Sequence, residues 1–540
     1  MPTGWYELLE KRHGYRCVSK YSRQSIQWLE HMARTNNVGI VHAENGGEQR
    51  IDNFKVDGFD EVNNTIYEFH GCYWHGHSCH ADADLSKWEK TKQRDQALRD
   101  AGYKLVTITS CEWVKMPESK QWYNEPAEDL PARSKEDLLE DISQEKIFGF
   151  VKCDIRVPDH LIDRFSEFPP LFKNTEIKFE DMDEVMQEYC KGIGRKVGVK
   201  RSLISSMHAK GIILLTPLLK WYLNQGLVVD DIEFIVSYNG KRCFEWFMDY
   251  VCNERRAADL GGPDQMMSGE AAKLMGNNGY GGVLMDRSKH TNTTFAKEKN
   301  LHIHTNNPFL KDYDELNDKI YEVSKQKSKI IHDLPLQLGL AVYSYAKLRM
   351  LEFWNFINTF LINDLYQFME MDTDSLYIAF ARDTIDECVK PELKAEWQTE
   401  KWKWFCSENT TELIPFRDMQ INVKQFDRRT PGKFKLEYSG IGMGCLNSKT
   451  YFIWGEKDKD GNPKPKCSAK GAQQKRNTLT KECFQKVLTT TDPKYVENAG
   501  FIKDKDGVIN TYTQYKKGMS FFYAKRKVLE DNVSTTHLDI

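Results

Sequence analysis

The sequence predicts a mixed α+β protein of several domains, and three observations lead to this prediction. Its 540 residues correspond to three or four domains at about 150 residues each. Apolar residues make up 40% of the chain and aromatic residues 12%, which is enough to form packed cores. Segments with the two-residue repeat of strands occur together with segments that have the 3.6-residue repeat of helices.

Charge, hydropathy and cysteine content exclude several classes of protein. The formal net charge is −3, so a nucleic-acid partner requires local basic patches rather than a basic chain. No signal-peptide pattern and no long apolar run is visible, which predicts a soluble intracellular protein, nuclear or cytoplasmic, with no membrane partner. The 13 scattered cysteines are expected to be free thiols and metal ligands rather than disulfides.

The N-terminal part begins with a segment that we predict to be helical over residues 1–36 and assign to residues 1–39. Two strands are predicted next, over residues 54–60 and 65–70, around a turn at residues 63–64. Asp57 lies on the first of them, and Glu68 and His70 lie on the second. Two acids and a base on adjacent strands suit a metal-dependent nuclease, which needs carboxylates for a cation and a basic group for an attacking water.

Cysteine and histidine residues are concentrated directly after the second strand. Five of them fall in nine positions, namely Cys72, His75, His77, Cys79 and His80. Cys111 ends a further strand predicted over residues 104–110, and a charged helix is predicted between them over residues 85–101. This mixture of thiolate and imidazole groups is the one that zinc favours. The alternative is that these side chains simply pack in a turn.

The order of these residues resembles that of the very short patch repair endonucleases, which have a restriction-endonuclease-like fold. The resemblance covers residues 40–114 and depends on the string His-Gly-Cys-x-Trp-His-x-His-x-Cys at residues 70–79 and on the later cysteine. It implies a structural Zn²⁺, a divalent cation bound by Asp57, and catalytic histidines at His70 and His75. Glu68 has no secure counterpart and is included as a second acid of the general nuclease fold. The zinc ligands that the resemblance implies are Cys72, His77, Cys79 and Cys111.

The middle of the chain is predicted to be a linker over residues 115–146. It contains Pro117, Pro126 and Pro131 among charged residues, followed by a short helix over residues 134–143. A strand is predicted over residues 147–154, and Asp154 at its end is a candidate metal ligand.

The segment Glu-Met-Asp-Thr-Asp-Ser-Leu-Tyr, residues 370–377, lies between two apolar, aromatic-rich runs. This pattern predicts a β-hairpin whose turn carries Asp372 and Asp374. Carboxylates held so close repel one another and favour a divalent cation between them. The alternative is a solvated acidic turn.

A second candidate site lies on a helix predicted over residues 273–281. Lys273, Asn277 and Tyr280 share one face of this helix. A lysine there can meet a triphosphate as a point charge, and a tyrosine ring can lie against the sugar and base. Arg255 and Arg256 precede this helix and can bind the same phosphates. The alternative is an ordinary helix with a buried tyrosine.

Three further elements complete the prediction. Helices are expected over residues 213–222 and 343–360, and a strand over residues 430–437. Lys449 and Tyr451 follow as a Lys-x-Tyr pair, in which the ammonium can meet backbone phosphate and the ring can pack on the sugar.

Residues 147–540 resemble the family B DNA polymerases of the protein-primed type found in viruses, linear plasmids and Polinton-like transposons. The resemblance depends on Asp-Thr-Asp-Ser-Leu-Tyr, on Lys-x-Tyr, and on Lys273–Gly281, which is similar to Lys-x-x-x-Asn-Ser-x-Tyr-Gly with Asn278 in place of serine. It implies palm, fingers and thumb-like regions. The first acidic motif of the family, Asp-x-x-Ser-Leu-Tyr-Pro, is not found, and Asp154 is the one carboxylate at the end of a suitable strand.

The resemblance implies a DNA-directed DNA polymerase that transfers nucleotides to a 3′-hydroxyl by two-metal chemistry. Asp372 and Asp374 would hold Mg²⁺ or Mn²⁺, and Lys449 and Tyr451 would bind DNA. The expected partners are a DNA template-primer, deoxynucleoside triphosphates and a terminal priming protein. The nucleotide-binding residues would be Lys273, Asn277, Tyr280 and Arg255.

Two alternatives stay open. One is a metal-dependent DNA endonuclease whose polymerase-like part only binds DNA. The other is a non-catalytic nucleic-acid-binding relic, because a zinc-containing module can persist for packing after catalysis is lost.

Overall fold

The computed structural model describes residues 2–15, 22–43, 45, 47–51, 54–79, 84–120, 133–261, 263–317, 319–457, 460–504 and 507–540. His80 and residues 121–132 of the predicted linker lie outside this description.

The chain divides into two compact units. The smaller unit comprises Tyr6–Asp141 and Ile232–Ser237, and the larger comprises Met1–Trp5, Ile142–Asp231 and Tyr238–Ile540. Strands and helices occur in both, which confirms the mixed α+β class.

The elements up to residue 143 are strands β1 to β7 and helices α1 to α5. The strands are β1 (Pro2–Glu10), β2 (Val41–His42), β3 (Arg50–Ile51), β4 (Phe54–Lys55), β5 (Gly58–Asp60), β6 (Thr65–His70) and β7 (Lys104–Thr109). The helices are α1 (Arg23–Asn36), α2 (Cys72–His75), α3 (Leu85–Asp100), α4 (Ser110–Trp113) and α5 (Lys135–Ser143).

The smaller unit is built around a four-stranded sheet in the order β2-β5-β6-β7. β5 runs antiparallel to β6, whereas β6 and β7 are parallel and are connected through α3. All six residues of β6 are buried, as expected for an inner strand that is covered on both faces. Tyr67 and Phe69 pack with Trp28 of α1, and Ile66 packs with Leu98 of α3. Because side chains alternate along a strand, Glu68 and His70 lie on the same face as Ile66, toward α3.

Two predictions for the N-terminal part need correction. Residues 2–10 are strand β1 rather than helix, and helix α1 begins only at residue 23. β1 lies beside the strand that contains residues 232–237, so pairing with a distant segment decides its structure. The strand predicted over residues 54–60 is divided into β4, which pairs with β3, and β5, which pairs with β6.

The remaining elements follow residue 143. The helices are α6 (Ile162–Phe165), α7 (Glu184–Gly192), α8 (Thr216–Asn224), α9 (Glu245–Leu260), α10 (Pro263–Gly281), α11 (Glu298–Thr305), α12 (Leu336–Phe360), α13 (Lys394–Glu400), α14 (Val423–Asp427) and α15 (Lys481–Thr490). The strands are β8 (Gly149–Arg156), β9 (Leu171–Ile177), β10 (Lys200–Ser206), β11 (His208–Leu215), β12 (Val228–Gly240), β13 (Thr291–Lys297), β14 (Leu310–Asn317), β15 (Ile320–Gln326), β16 (Tyr366–Asp372), β17 (Ser375–Phe380), β18 (Leu413–Phe416), β19 (Met419–Asn422), β20 (Gly442–Asn447), β21 (Thr450–Trp454), β22 (Lys466–Ala469), β23 (Lys494–Lys503), β24 (Ile509–Met519), β25 (Lys527–Val528) and β26 (Thr535–Thr536).

The larger unit contains several small sheets around the long helix α12. β8 pairs antiparallel with β11, and Phe150 and Leu215 of these strands pack against Ala341 of α12. The C-terminal half of α12 buries Phe353, Phe356, Ile357 and Phe360 in a cluster with Trp397. β16 and β17 form a hairpin, and β20, β21 and β22 form a three-stranded sheet. Aromatic residues buried along α12 therefore support the hairpin, because Phe368 and Leu376 pack on the same cluster.

Two predictions for the larger unit also need correction. The helix predicted over residues 213–222 begins at Thr216, because residues 213–215 end β11. Residues 430–437 do not form a regular strand; Phe434 makes a single bridge to Phe405. The helices over residues 273–281 and 343–360 are confirmed as parts of α10 and α12. Among the described residues, no helix combines the length and apolar character needed to cross a membrane.

Candidate functional site

The Cys/His segment after β6 folds into a compact group of potential metal ligands. One ligand atom from each of Cys72, His77, Cys79 and Cys111 lies within 4.8 Å of all the others. The Cys72 and Cys111 Sγ atoms lie 3.8 Å and 3.7 Å from His77 Nδ1. Ligand atoms around a tetrahedral zinc ion are separated by about 3.5 to 4 Å, given its bond lengths of about 2.0 to 2.3 Å. The donor set and spacing therefore fit a metal such as zinc.

Short local elements bring these four residues together. Cys72 begins α2, which ends at His75. The next residue, Gly76, has a left-handed backbone conformation with φ 72°. A Cβ at position 76 would lie 2.1 Å from the backbone oxygen of Asp84, so only glycine fits this turn. Cys111 lies in α4 at the end of β7, and Ser110 Oγ accepts a hydrogen bond of 3.0 Å from Cys72 N–H. The parallel pairing of β6 with β7 thus places the late cysteine beside the early ones.

A second group of polar residues lies between β6 and α3. Arg94 donates two hydrogen bonds to the Glu68 carboxylate, at 2.8 and 2.7 Å. Asp57 Oδ2 accepts a hydrogen bond of 2.7 Å from Phe69 N–H. Burial, followed by the nearby Glu68 charge, raises the pKa of Asp57 to about 7. The buried Glu68, the half-buried Asp57 and one guanidinium leave an excess of acid here, which is the chemistry that accepts a divalent cation.

Two histidines complete this group. His70 Nε2 lies 2.9 Å from Asp95 Oδ2, and His75 Nδ1 lies 3.1 Å from Thr91 Oγ1. The two imidazole centroids are 4.8 Å apart. Burial and the neighbouring His70 lower the pKa of His75 to about 4, so this imidazole is neutral at pH 7 and can accept a proton. His70 Nδ1 and Asp95 Oδ1 are buried and have no hydrogen-bond partner among the described residues.

Helix α3 organises this site, and the sequence prediction did not assign it that role. Thr91 and Asp95 lie four residues apart and therefore share one helix face, with Trp88 one turn earlier. The Trp88 ring lies edge-on to His70 at 5.9 Å and to His77 at 4.9 Å. It therefore lies between the polar group that contains His70 and the Cys/His group that contains His77. Thr91 and Asp95 are buried in the structure, but the sequence alone shows them only as polar residues on a charged helix.

The predicted acidic hairpin is confirmed as a structural element. Asp372 pairs with Ser375 at the end of β16 and β17, and Thr373 in the turn has φ 57°. Asp374 N–H donates to the Asp372 carbonyl oxygen at 2.7 Å. Asp374 is exposed and Asp372 is half-buried. The two carboxylates therefore lie at the tip of the hairpin.

The turn between β20 and β21 meets this hairpin. Lys449 Nζ lies 3.1 Å from Asp372 Oδ2. The Tyr377 hydroxyl donates a hydrogen bond of 2.7 Å to the Tyr451 hydroxyl, and the two rings are 4.9 Å apart. The fold thus brings the Asp-Thr-Asp and Lys-x-Tyr segments into direct contact.

The candidate nucleotide-binding residues lie on the antiparallel pair α9 and α10. Lys273 and Asn277 are exposed, and Lys273 makes an ion pair of 3.6 Å with Glu270. The Tyr280 ring packs edge-on against Tyr343 at 5.9 Å. Arg255 is half-buried.

Arg256 has a different role from the one predicted. It is buried, and it donates to the Phe426 carbonyl oxygen, to Asn253 Oδ1 and to Thr430 Oγ1. Its guanidinium therefore fixes a loop in the protein.

Asp154 lies on β8, and its Oδ1 atom accepts a hydrogen bond of 2.7 Å from Gly211 N–H. Within the described ranges, the Cys/His group is the one set of three or more Cys, His, Asp or Glu ligand atoms close enough to hold a metal ion. Asp154 is thus not joined with Asp372 and Asp374 in such a set.

Comparison of this chain with family models, with curated proteins and with solved structures gave no match.

Proposed function

We propose that the larger unit catalyses template-directed addition of nucleotides to a DNA 3′-hydroxyl, as a DNA-directed DNA polymerase. The observation that carries this proposal is the 3.1 Å ion pair between Lys449 and Asp372. Two segments that are distant in sequence, and that each resemble a polymerase motif, meet at the tip of one acidic hairpin.

The chemistry of the hairpin is consistent with this activity. Asp372 and Asp374 present carboxylate oxygens, which are the ligands that Mg²⁺ and Mn²⁺ prefer. Such cations lower the pKa of an attacking hydroxyl and stabilise charge on a triphosphate. Lys449 neutralises Asp372 in the free protein and can move to a primer phosphate, while Lys273 on α10 supplies an exposed ammonium for the triphosphate.

Primer extension by the full chain tests this proposal. A labelled primer on a DNA template is incubated with Mg²⁺ or Mn²⁺ and with one deoxynucleoside triphosphate at a time. Incorporation that follows the template base is the expected result, and its absence with both metals contradicts the proposal.

The same assay with Asp154→Asn tests the third carboxylate. Asparagine retains an oxygen for Gly211 N–H but removes the charge, so a loss of extension identifies Asp154 as the acid that replaces the missing first motif. Full activity would show that this acid lies elsewhere in the chain.

We propose as a second candidate that the smaller unit cleaves DNA with the help of a divalent cation. The supporting observation is the group of Asp57, Glu68, His70 and His75 beside the Cys/His cluster. Glu68 and His70 are buried, and Asp57 and His75 are half-buried. Asp57 and Glu68 would hold the cation, which would activate a water molecule. His75, which is neutral at pH 7, can accept a proton from that water.

Asp57→Asn is expected to reduce cleavage of a DNA duplex by about a hundredfold or more, because the amide removes a charged metal ligand. Cleavage by the wild type is expected to increase as the pH rises through about 7, since a proton must leave Asp57 before a cation binds. Because the pKa of His75 is about 4, His75 stays neutral around pH 7, and its ionisation does not reduce activity there. A pH–rate profile of nicking in Mg²⁺ measures both effects.

The exposed acid Glu61 in the adjoining turn provides a matched control as Glu61→Gln. A profile that decreases with pH, or equal loss in both variants, contradicts the assignment of Asp57.

A further inference from the structure

Glu370 is an acidic residue of the hairpin to which the proposed function assigns no role. It lies two residues before Asp372 on β16, and a register shift between Phe368 and Glu370 places it opposite Tyr377. Its Oε1 atom accepts a hydrogen bond of 2.9 Å from Lys449 N–H, 79 positions away in sequence. Its Oε2 atom lies 3.6 Å from Cys445 Sγ–H. Glu370 therefore joins the hairpin to the turn that carries Lys449.

The backbone at Lys449 explains why such a bond is needed. Lys449 has φ 63°, in the left-handed region that residues other than glycine and asparagine rarely occupy. Glycine would relieve this strain, so bonds from side chains to the backbone of Lys449 help to hold the lysine in this conformation. The carboxylate of Glu370 holds the strained residue through its N–H, and Ser468 Oγ donates to its carbonyl oxygen at 2.9 Å. Both backbone groups of Lys449 are thus fixed by side chains.

We propose that Glu370 is a positioning residue, which fixes the backbone of Lys449 so that the ammonium reaches the hairpin tip and the phosphate of a primer strand. This inference rests on the proposed polymerase function of the larger unit. Glu370 acts through Lys449, whose Nζ atom lies 3.1 Å from Asp372. Burial raises the pKa of the Glu370 carboxyl, and the Lys449 N–H bond opposes this effect.

Equilibrium affinity for a fluorescent primer–template duplex, measured with the full chain by anisotropy, tests this inference. Glu370→Met preserves the side-chain volume but removes the acceptor, and it is expected to weaken binding by about tenfold. Glu370→Gln retains an oxygen for Lys449 N–H and is expected to bind within about twofold of the wild type. An equal loss in the glutamine variant would overturn the proposal, because it would mean that the charge itself is required.

A double-mutant cycle with Lys449→Ala separates positioning from a merely structural role. In the alanine background there is no ammonium to position, so Glu370→Met is expected to change the affinity by less than about twofold. Independent, additive losses overturn the proposal. If thermal unfolding shows that Glu370→Met does not fold, Glu370→Asp replaces it, since its shorter side chain cannot reach Lys449 N–H and the same loss is expected.

The binding measurement does not depend on nucleotide addition, so the two proposals can fail separately. If the chain binds the duplex and the Glu370 and Lys449 substitutions are non-additive, but no primer is extended, only the polymerase function is contradicted. Extension with additive losses contradicts the role of Glu370 alone. A wild-type chain that does not bind the duplex contradicts both.

Discussion

Replacing Cys72 with serine is expected to abolish the proposed binding of zinc by the Cys/His cluster and to destabilise the smaller unit. Cys72 is a buried member of the Cys/His cluster, and its Sγ atom lies 3.8 Å from His77 Nδ1. Structural zinc contributes about 10 kcal/mol or more to folding in small metal-binding domains, which is comparable to the whole stability of a single domain. The packing of α2 depends on these ligands because its Tyr73 and Trp74 side chains are exposed, whereas α4 is also held by the buried Trp113.

Zinc content by atomic emission and limited proteolysis of the full chain measure this effect. Loss of zinc together with rapid cleavage within residues 22–120 is the expected result for Cys72→Ser and for Cys111→Ser. Cys243→Ser is the matched control, since Cys243 is a half-buried cysteine in the larger unit. Retention of zinc in the Cys72 variant, or equal release from the Cys243 variant, would contradict the assignment of the cluster.

Features defined by short sequence strings could be predicted from the sequence. The Cys/His ligands, the strand that contributes Glu68 and His70, and the acidic hairpin all depend on residues within about ten positions of one another. Cys111 was included through the resemblance to the very short patch repair endonucleases, and the parallel pairing of β7 with β6 places it, at the start of α4, beside Cys72.

Features that depend on contacts between distant segments could not be predicted. β1 was expected to be a helix because its local pattern carries no information about the strand beside it. Asp95 and Arg94 lie on the helix that was predicted only to be charged, and packing of that helix on β6 places them at His70 and Glu68. Glu370 lies in the predicted hairpin, yet its contact with Lys449 joins positions 79 residues apart.

Asp374→Asn is expected to reduce primer extension by about a thousandfold or more while leaving the fold intact. Asp374 is exposed at the hairpin tip, so its carboxylate contributes little to packing, and the amide preserves its size. A carboxylate that holds catalytic cations is worth several kcal/mol in the transition state, and each 1.4 kcal/mol is about a factor of ten in rate. Single-turnover extension rates in Mg²⁺, with the duplex affinity measured separately, report this loss in the chemical step.

Asp383→Asn is the matched control, because Asp383 is another exposed aspartate, located shortly after β17. Equal losses in both variants would indicate a general effect of surface charge on DNA binding rather than metal chemistry at the hairpin.

Asp372→Asn is expected to affect a further property, because it also removes the charged partner of Lys449. In this variant the Lys449 ammonium can bind a DNA phosphate without first breaking its ion pair with Asp372. We therefore expect the affinity for the duplex in the absence of metal to increase, although primer extension is lost. An Asp372 variant that loses both properties would contradict the exchange of Lys449 between the hairpin and the primer.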